Sequence, residues 1–197
     1  MDNQANLPAR IRDAVARFPD LTRRWHDERI ILAGAAEFED IVCSLHAFNF
    51  GLWHHEDQVR RQDLPDAVVV LHKRKIDWLN VRRNAAVEAL DTYLAGLFSY
   101  SGELHSETPG MMIDRLSVLH LRIFHLTQSR PGHDSSDNEL RVHVCNEQLK
   151  DLMRCFVRLL EDLQSGRKHF RVYRQFKSGF KQYCPLFEGG QEWLKIS

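Results

Sequence analysis

The chain has 197 residues, 43% hydrophobic and 27% charged, which is enough for one domain with a sizeable core. Lysine plus arginine equals aspartate plus glutamate at 27 each, so no net charge draws the protein to nucleic acid or an acidic membrane. The N-terminal MDNQANLP lacks the basic and apolar regions of a signal peptide, and no apolar run approaches the ~20 residues of a membrane span. We therefore expect a cytoplasmic protein whose four cysteines are reduced thiols, namely Cys43, Cys145, Cys155 and Cys184.

Two short helices are predicted at the N-terminus. Apolar residues at helical spacing mark the first, at Leu7, Ile11, Val15 and Phe18. Pro19-Asp20 should end it, and a second helix is predicted over 21–33. We expect a single domain, 1–197, in which residues 1–35 form cover helices on the main body.

Four longer helices are predicted next, at about 37–61, 65–98, 109–129 and 138–164. Thr108 before Pro109 is typical of an N-cap followed by the first helical position, and Ser165-Gly166 is a stop signal. Strand signals are nearly absent. The fold class predicted is all-α: an up-and-down bundle over 37–164 with cover helices, followed by a C-terminal segment over 167–197.

Polar residues interrupt the apolar faces of these helices. The helix after Thr108 is apolar on both sides, so its charged residues need partners. Asn49 and Glu56 lie in the core stripe of the 37–61 helix. In the 65–98 helix the second half is apolar, with Val87, Leu90, Leu94 and Leu97, and predicts a dry core. The first half predicts a polar chamber, with His72, Lys73, Asn80 and Arg83 inward and Asp77 and Asn84 on one flank.

Two sets of candidate site residues follow. Carboxyl and imidazole groups whose pKa values burial can shift are acid–base candidates: Glu56, Glu107, Asp114 and His125. Polar and cationic groups are candidates for substrate binding: Asn49, His54, Lys73, Asp77, Asn80, Arg83, Asn84, Arg115, Arg174 and Lys177. We expect Glu56, Asn80, Arg83 and Asp114 to converge on one chamber.

The C-terminal segment begins with RKHFRVYRQFKSGFK, where six cations alternate with aromatic residues. One interpretation is a segment that grips phosphate or carboxylate. The other is a solvated basic face anchored by its aromatic residues. Zero net charge disfavours a nucleic-acid arm.

No cofactor and no metal ion are predicted, because the chain has no Glu-x-x-His element and no helix offers two ligands one turn apart in the chamber. A mononuclear site assembled across helices is the alternative, with ligands drawn from Glu56, His54 or His55, His105, Glu107 and Asp114. The sequence also lacks a phosphate-binding glycine loop and a serine nucleophile elbow.

Four motifs occur in order between about residues 45 and 178: Asn49-x-x-Leu52-Trp53-His54-x-Glu56-Asp57, Lys73-Arg74-x-Ile76-Asp77-x-x-Asn80-x-x-Arg83-Asn84, Ser106-Glu107-Thr108-Pro109-Gly110-x-x-x-Asp114-Arg115-Leu116-Ser117 and Val172-Tyr173-Arg174-Gln175-Phe176-Lys177. Together they resemble a bacterial family, the domain of unknown function 4254. The resemblance implies an all-helical bacterial protein, often encoded beside genes for cell-surface glycan assembly. The resemblance indicates which positions belong to the family motifs, but it implies no particular reaction.

The chain departs from that family pattern at several positions. Val81 and Ala85 stand where glutamine and aspartate are expected, His105 replaces an asparagine, and the Asn-Asp-Pro run after Lys177 is missing. If those groups contact a ligand, this chain binds a different ligand or has lost the activity.

Two hypotheses for function remain. The first is a small-molecule enzyme or ligand-binding accessory protein, with a polar pocket for an anionic metabolite such as a phosphorylated sugar. The alternative is a non-catalytic interaction or assembly protein with a structural charge network, in which Arg115 neutralises Asp114 or Glu56. A cavity favours the first, and closed salt bridges favour the second. Nucleic acid and membrane are not expected as partners, and a homodimer is left open.

Overall fold

The computed structural model describes residues 7–32, 37–128 and 135–174. Six helices and one pair of two-residue strands make up this part of the chain: α1 (Leu7–Ala16), α2 (Phe18–Asp27), α3 (Phe38–Val59), α4 (Asp66–Ala95), β1 (Glu103–Leu104), α5 (Pro109–Gln128), α6 (Ser135–Gln164) and β2 (Lys168–His169). The predicted all-α bundle is confirmed. Within the described residues, none of the helices is both long and apolar enough to cross a bilayer.

The bundle packs around α5. This helix contacts α3, α4 and α6, and α3 runs along α4. Both N-terminal helices pack on the outside, α1 against α3, α5 and α6 and α2 against α3 and α5. Leu116 and Leu121 of α5 and Leu79 and Leu90 of α4 are fully buried in the core. The helix α5 thus contacts all five of the other described helices.

The second helix begins earlier and ends earlier than predicted. It starts at Phe18, so Pro19 lies inside its first turn and does not separate the two helices. A proline is tolerated there because the first amide groups of a helix have no intrahelical acceptor. The helix ends at Asp27, since Glu28 adopts an extended backbone with φ −120° and ψ 152°.

The start of α5 is held by a carboxylate from another helix. Thr108 is the N-cap as predicted, because its Oγ1 accepts the Met111 N–H at 3.2 Å. The Thr108 hydroxyl donates to Asp91 Oδ2 at 2.5 Å, and the Gly110 N–H donates to Asp91 Oδ1 at 2.7 Å. Asp91 is buried in the half of α4 predicted to be a dry core, so that expectation was wrong at this residue.

Close packing at this point requires Gly110. A Cβ atom added there would lie 2.7 Å from both Asp91 Oδ1 and the Val87 carbonyl oxygen. The residue after Thr108-Pro109 must therefore be a glycine for α5 to pack this closely against α4.

The end of α6 matches the predicted stop signal. Gly166 has φ +69°, its N–H donates to the Leu163 carbonyl, and the Arg167 N–H donates to the Asp162 carbonyl. The chain then pairs in parallel with the connection before α5, Glu103 opposite Lys168. Two-residue strands leave no periodic signal, which is why the sequence predicted only a loop there.

Candidate functional site

A cavity of about 550 Å³ lies between α5 and α6, beside the start of α5. Its described lining residues are Glu107, Met112, Asp114, Arg115, Val118, Leu119, Arg122, Gln148, Asp151, Leu152 and Cys155. Three predicted site residues, Glu107, Asp114 and Arg115, are therefore brought together on one wall. The volume is in the range that holds a small molecule.

Asp114 is fixed on the cavity wall by Asn49 of α3. The Asn49 Nδ2 group donates to Asp114 Oδ1 at 2.8 Å and to Ser117 Oγ at 3.0 Å. Burial raises the pKa of Asp114, while the hydrogen bond from Asn49 and the charge of Arg83 act in the opposite direction. A carboxyl group with a raised pKa can both give and take a proton closer to neutral pH.

A buried chain of hydrogen bonds continues from Asn49 to the outer helices. Ser117 Oγ lies 2.8 Å from His46 Nδ1, and His46 Nε2 lies 2.9 Å from Thr22 Oγ1 and 3.2 Å from the Phe18 carbonyl oxygen. Since a carbonyl only accepts, Nε2 carries the proton and the Ser117 hydroxyl donates to Nδ1. Burial lowers the pKa of His46 to about 3, so the ring is neutral.

Sequence reasoning missed His46, Ser117 and Thr22. A signal was present for two of them, because His46 precedes Asn49 by three residues and Ser117 follows Asp114 by three, which places polar pairs on one helix face. The hydrogen bonds that connect them join three different helices, so the spacing of residues along the sequence could not predict them.

Two arginines of α5, Arg115 and Arg122, line the cavity. Arg115 Nη1 is 2.5 Å from Glu107 Oε1, with the Arg115 side chain 60% exposed and that of Glu107 30% exposed. Arg122 lines the same cavity two helical turns farther along α5. In the structural alternative Arg115 was expected to neutralise Asp114 or Glu56. It pairs with Glu107, so that expectation was wrong.

Glu56 of α3 and several of the site residues predicted on α4 are partly exposed. Glu56 forms an ion pair with Lys73 at 3.8 Å, at side-chain exposures of 38% and 54%, and is not among the described lining residues of the cavity. It lies two turns, roughly 10 Å, from Asn49 along α3. Asp77 is exposed and Asn80 half-buried. Of the four residues expected to converge, Arg83 acts on Asp114 through its charge, whereas Glu56 pairs with Lys73 and does not reach the described lining of the cavity.

The buried arginine of α4 is one residue away from the predicted one. Arg82 is 1% exposed and its guanidinium lies 4.7 Å from the centre of the Trp78 ring, whereas Arg83 is half-buried and donates to Asn84 Oδ1 at 3.3 Å. Position 82 falls three residues after Leu79 and four before Ala86, both fully buried, so the inward face is rotated from the predicted one.

His54 and His125 lie away from the cavity and close to each other. Their ring centroids are 5.1 Å apart, and His125 stacks on Trp53 at 5.0 Å with 4° between the ring planes. His125 follows Asp114 by eleven residues, roughly 16 Å along α5. His55, an alternative metal ligand, instead contacts His72 through a 3.0 Å Nδ1···Nδ1 interaction.

The C-terminal segment is described as far as Arg174, and Lys177 and Cys184 lie outside the described residues. Phe170 is buried, Arg171 and Arg174 are exposed, and Lys168 pairs with Asp162 at 3.2 Å. This part fits the interpretation of a solvated basic face anchored by an aromatic residue. The described cysteines Cys43, Cys145 and Cys155 are free thiols.

A sequence profile of the family described as "Protein of unknown function (DUF4254)" matches residues 39–172. The match covers more than half of the chain and includes every described residue that lines the cavity. The chain therefore belongs to this family. No curated protein and no solved structure matches it significantly.

Proposed function

We propose that this family member binds a small anionic metabolite in the cavity between α5 and α6, as an enzyme or as a ligand-binding accessory protein. One observation carries the proposal. A half-buried carboxyl group with a raised pKa, Asp114, lines a cavity of about 550 Å³ and is held there by Asn49. Fixed geometry and an altered pKa are what general acid–base chemistry needs.

Cations at the same cavity supply the charge for an anionic group. Arg115 and Arg122 lie seven residues apart on α5, so their Cα atoms are roughly 10 Å apart on one face. Guanidinium groups bind phosphate or carboxylate through paired hydrogen bonds. In this proposal Arg115 exchanges its partner Glu107 for the ligand, and Asp114 acts on a hydroxyl group of the ligand.

A phosphorylated sugar combines both features, hydroxyl groups for the carboxylates and a phosphate for the arginines. The link to cell-surface glycan assembly implied by the family resemblance makes this class our choice, and we propose that the protein acts in the cytoplasm of a bacterium. The proposal requires neither nucleic acid nor a membrane, and self-association stays a prediction.

A non-catalytic assembly protein is the second candidate. The chain of hydrogen bonds from Asp114 through Asn49 and Ser117 to His46 favours it, because these polar groups satisfy one another without a ligand. In that case the cavity would bind no metabolite, and the network would only set the relative positions of α2, α3 and α5.

Thermal unfolding with and without a ligand distinguishes the two. The probes are glucose 1-phosphate and inorganic phosphate, added to the wild type, Arg115→Met and Arg122→Met. We expect the sugar phosphate to raise the Tm of the wild type, and each methionine variant to lose most of this shift because one phosphate contact is gone.

The control is Arg141→Met on α6, which removes an exposed arginine that pairs with Asp137 at 2.6 Å and is not among the described residues lining the cavity. It should keep the full ligand-induced shift. A wild type that neither phosphate stabilises, or equal losses in all three variants, would favour the assembly protein and contradict our proposal.

A further inference from the structure

Three histidines from three helices meet on one side of the bundle. They are His26 of α2, His54 of α3 and His125 of α5, and one ring nitrogen of each lies within 4.8 Å of the other two. The ring centroids are 4.9 Å apart for His26–His54, 5.1 Å for His54–His125 and 5.3 Å for His26–His125. The three rings thus surround a common point at nearly equal distances.

These spacings agree with those of three imidazoles on one tetrahedral ion. With Zn–N bonds of about 2.1 Å, the ring centroids of such ligands lie roughly 5 Å apart. The ring nitrogens, which lie within 4.8 Å of one another, would have to approach to roughly 3.4 Å to bind one tetrahedral ion. His26 is exposed, so its ring can make that adjustment and the ion can enter from its side.

The hydrogen bonding of His26 and His54 suits metal ligands. His26 Nδ1 lies 2.7 Å from the Thr22 carbonyl oxygen, which only accepts, so Nδ1 carries the proton and the lone pair is on Nε2. His54 Nε2 is buried and has no hydrogen-bond partner among the described residues, a cost that an ion would remove.

Aromatic side chains enclose the three histidines. Trp53 stacks on His125, Phe124 stacks on His26 at 4.7 Å, and Phe50 lies 4.5 Å from the His54 ring. Such walls fix ring orientation and limit the access of water. An all-imidazole ligand set selects borderline transition metals, and oxygen-seeking Mg²⁺ and Ca²⁺ are disfavoured.

We propose that His26, His54 and His125 bind one divalent transition-metal ion of the zinc class, with a fourth position open to solvent on the side of His26. The sequence predicted no metal site because no single helix offers two ligands one turn apart. In the structure each of the three histidines comes from a different helix. Three histidines with an open position is the ligand pattern of catalytic zinc rather than of closed structural sites. The site is separate from the Asp114 cavity and does not depend on its function.

Cobalt titration tests the proposal on the full chain after dialysis against a chelator. We expect the wild type to bind one equivalent of Co²⁺ with the strong visible absorption of tetrahedral cobalt, and Zn²⁺ to displace it. His26→Phe, His54→Phe and His125→Phe keep an aromatic ring in the cluster and remove one ligand. Each should weaken binding by at least roughly a hundredfold.

His143→Ala is the matched control, because His143 is exposed on α6 and outside the cluster. It should bind cobalt as the wild type does. If a phenylalanine variant fails to fold, the glutamine variant at the same position replaces it, and circular dichroism identifies such a case.

Two results would overturn the proposal. One is a wild type without the tetrahedral cobalt spectrum, which would make the three rings a neutral aromatic cluster only. The other is cobalt binding that survives substitution of the three histidines or falls equally in His143→Ala, which would locate the ion elsewhere.

Discussion

At the scale of single residues, the least expected group is Asp91. Its carboxyl group is buried on α4 and accepts hydrogen bonds from Thr108 and from the Gly110 N–H at the start of α5. Burial raises its pKa to about 6, and the two hydrogen bonds act in the opposite direction. One side chain therefore links helix capping, helix docking and the pH dependence of stability.

The raised pKa gives Asp91 a predictable effect on stability. Between the ordinary value of 3.8 and about 6 the folded state holds more protons than the unfolded state. The stabilising contribution is therefore fully present below about pH 3.8 and is lost as the pH rises through about 6. The loss amounts to about 3 kcal/mol.

Urea unfolding of the wild type and Asp91→Asn between pH 4 and 7 measures this contribution. We expect the unfolding free energy of the wild type to fall relative to that of Asp91→Asn as the pH rises. Taking the difference cancels other titrating groups such as His46, whose lowered pKa destabilises the fold as the pH falls. A difference that is constant across the range would contradict the account of Asp91.

A second prediction concerns the proton affinity of Asp114. The charge of Arg83 holds its pKa below the value that burial alone would give, so Arg83→Gln should raise it. The measurement is a pH titration of the aspartate carboxyl carbons by NMR. Arg74→Gln, at an exposed position of the same helix, should leave the Asp114 titration unchanged. An Asp114 curve identical in both variants would remove Arg83 from the site.

At the scale of elements, the contact between α4 and α5 depends on Gly110. Gly110→Ala would place a methyl group 2.7 Å from Asp91 Oδ1 and the Val87 carbonyl oxygen, so we expect a destabilisation of about 1–3 kcal/mol. Gly96→Ala is the matched control, since a Cβ there meets nothing closer than 3.5 Å and φ is −71°. Chemical denaturation should find it neutral or slightly stabilising. Equal stabilities of the two variants would contradict the close docking.

Helices with a long apolar stripe and clear end signals could be predicted from the sequence. The Thr108-Pro109 start and the Ser165-Gly166 stop were correct, because they are local chemistry. The break expected at Pro19 was wrong, because a proline also fits the first turn of a helix. Arg82 took the inward position predicted for Arg83, since the rotation of a helix is decided by its neighbours.

Part of the candidate site was predictable for the same reason. Asp114, Glu107 and Arg115 lie on or beside one helix, so burial and spacing selected them together. The chain of His46 and Ser117, the capping by Asp91 and the meeting of His26 with His54 and His125 each join residues of different helices. Such contacts depend on how the helices cross, and the spacing of apolar residues in the sequence carries no information about that.

At the scale of the whole molecule, α5 connects two separate places. Its first half carries Asp114 and Arg115 into the cavity beside α6, and its second half carries His125 to the cluster with α2 and α3. We propose above all that the cavity binds an anionic metabolite. Cys155, an exposed thiol that lines the cavity, offers a local probe of that claim.

The most direct measurement is the rate at which iodoacetamide alkylates each cysteine, followed by peptide mass spectrometry with and without glucose 1-phosphate. We predict that the sugar phosphate slows alkylation of Cys155 several-fold in the wild type and hardly at all in Arg115→Met, while Cys43, outside the cavity lining, reacts at an unchanged rate. An unchanged rate at Cys155 with saturating ligand, or an equal slowing at Cys155 and Cys43, would contradict the account.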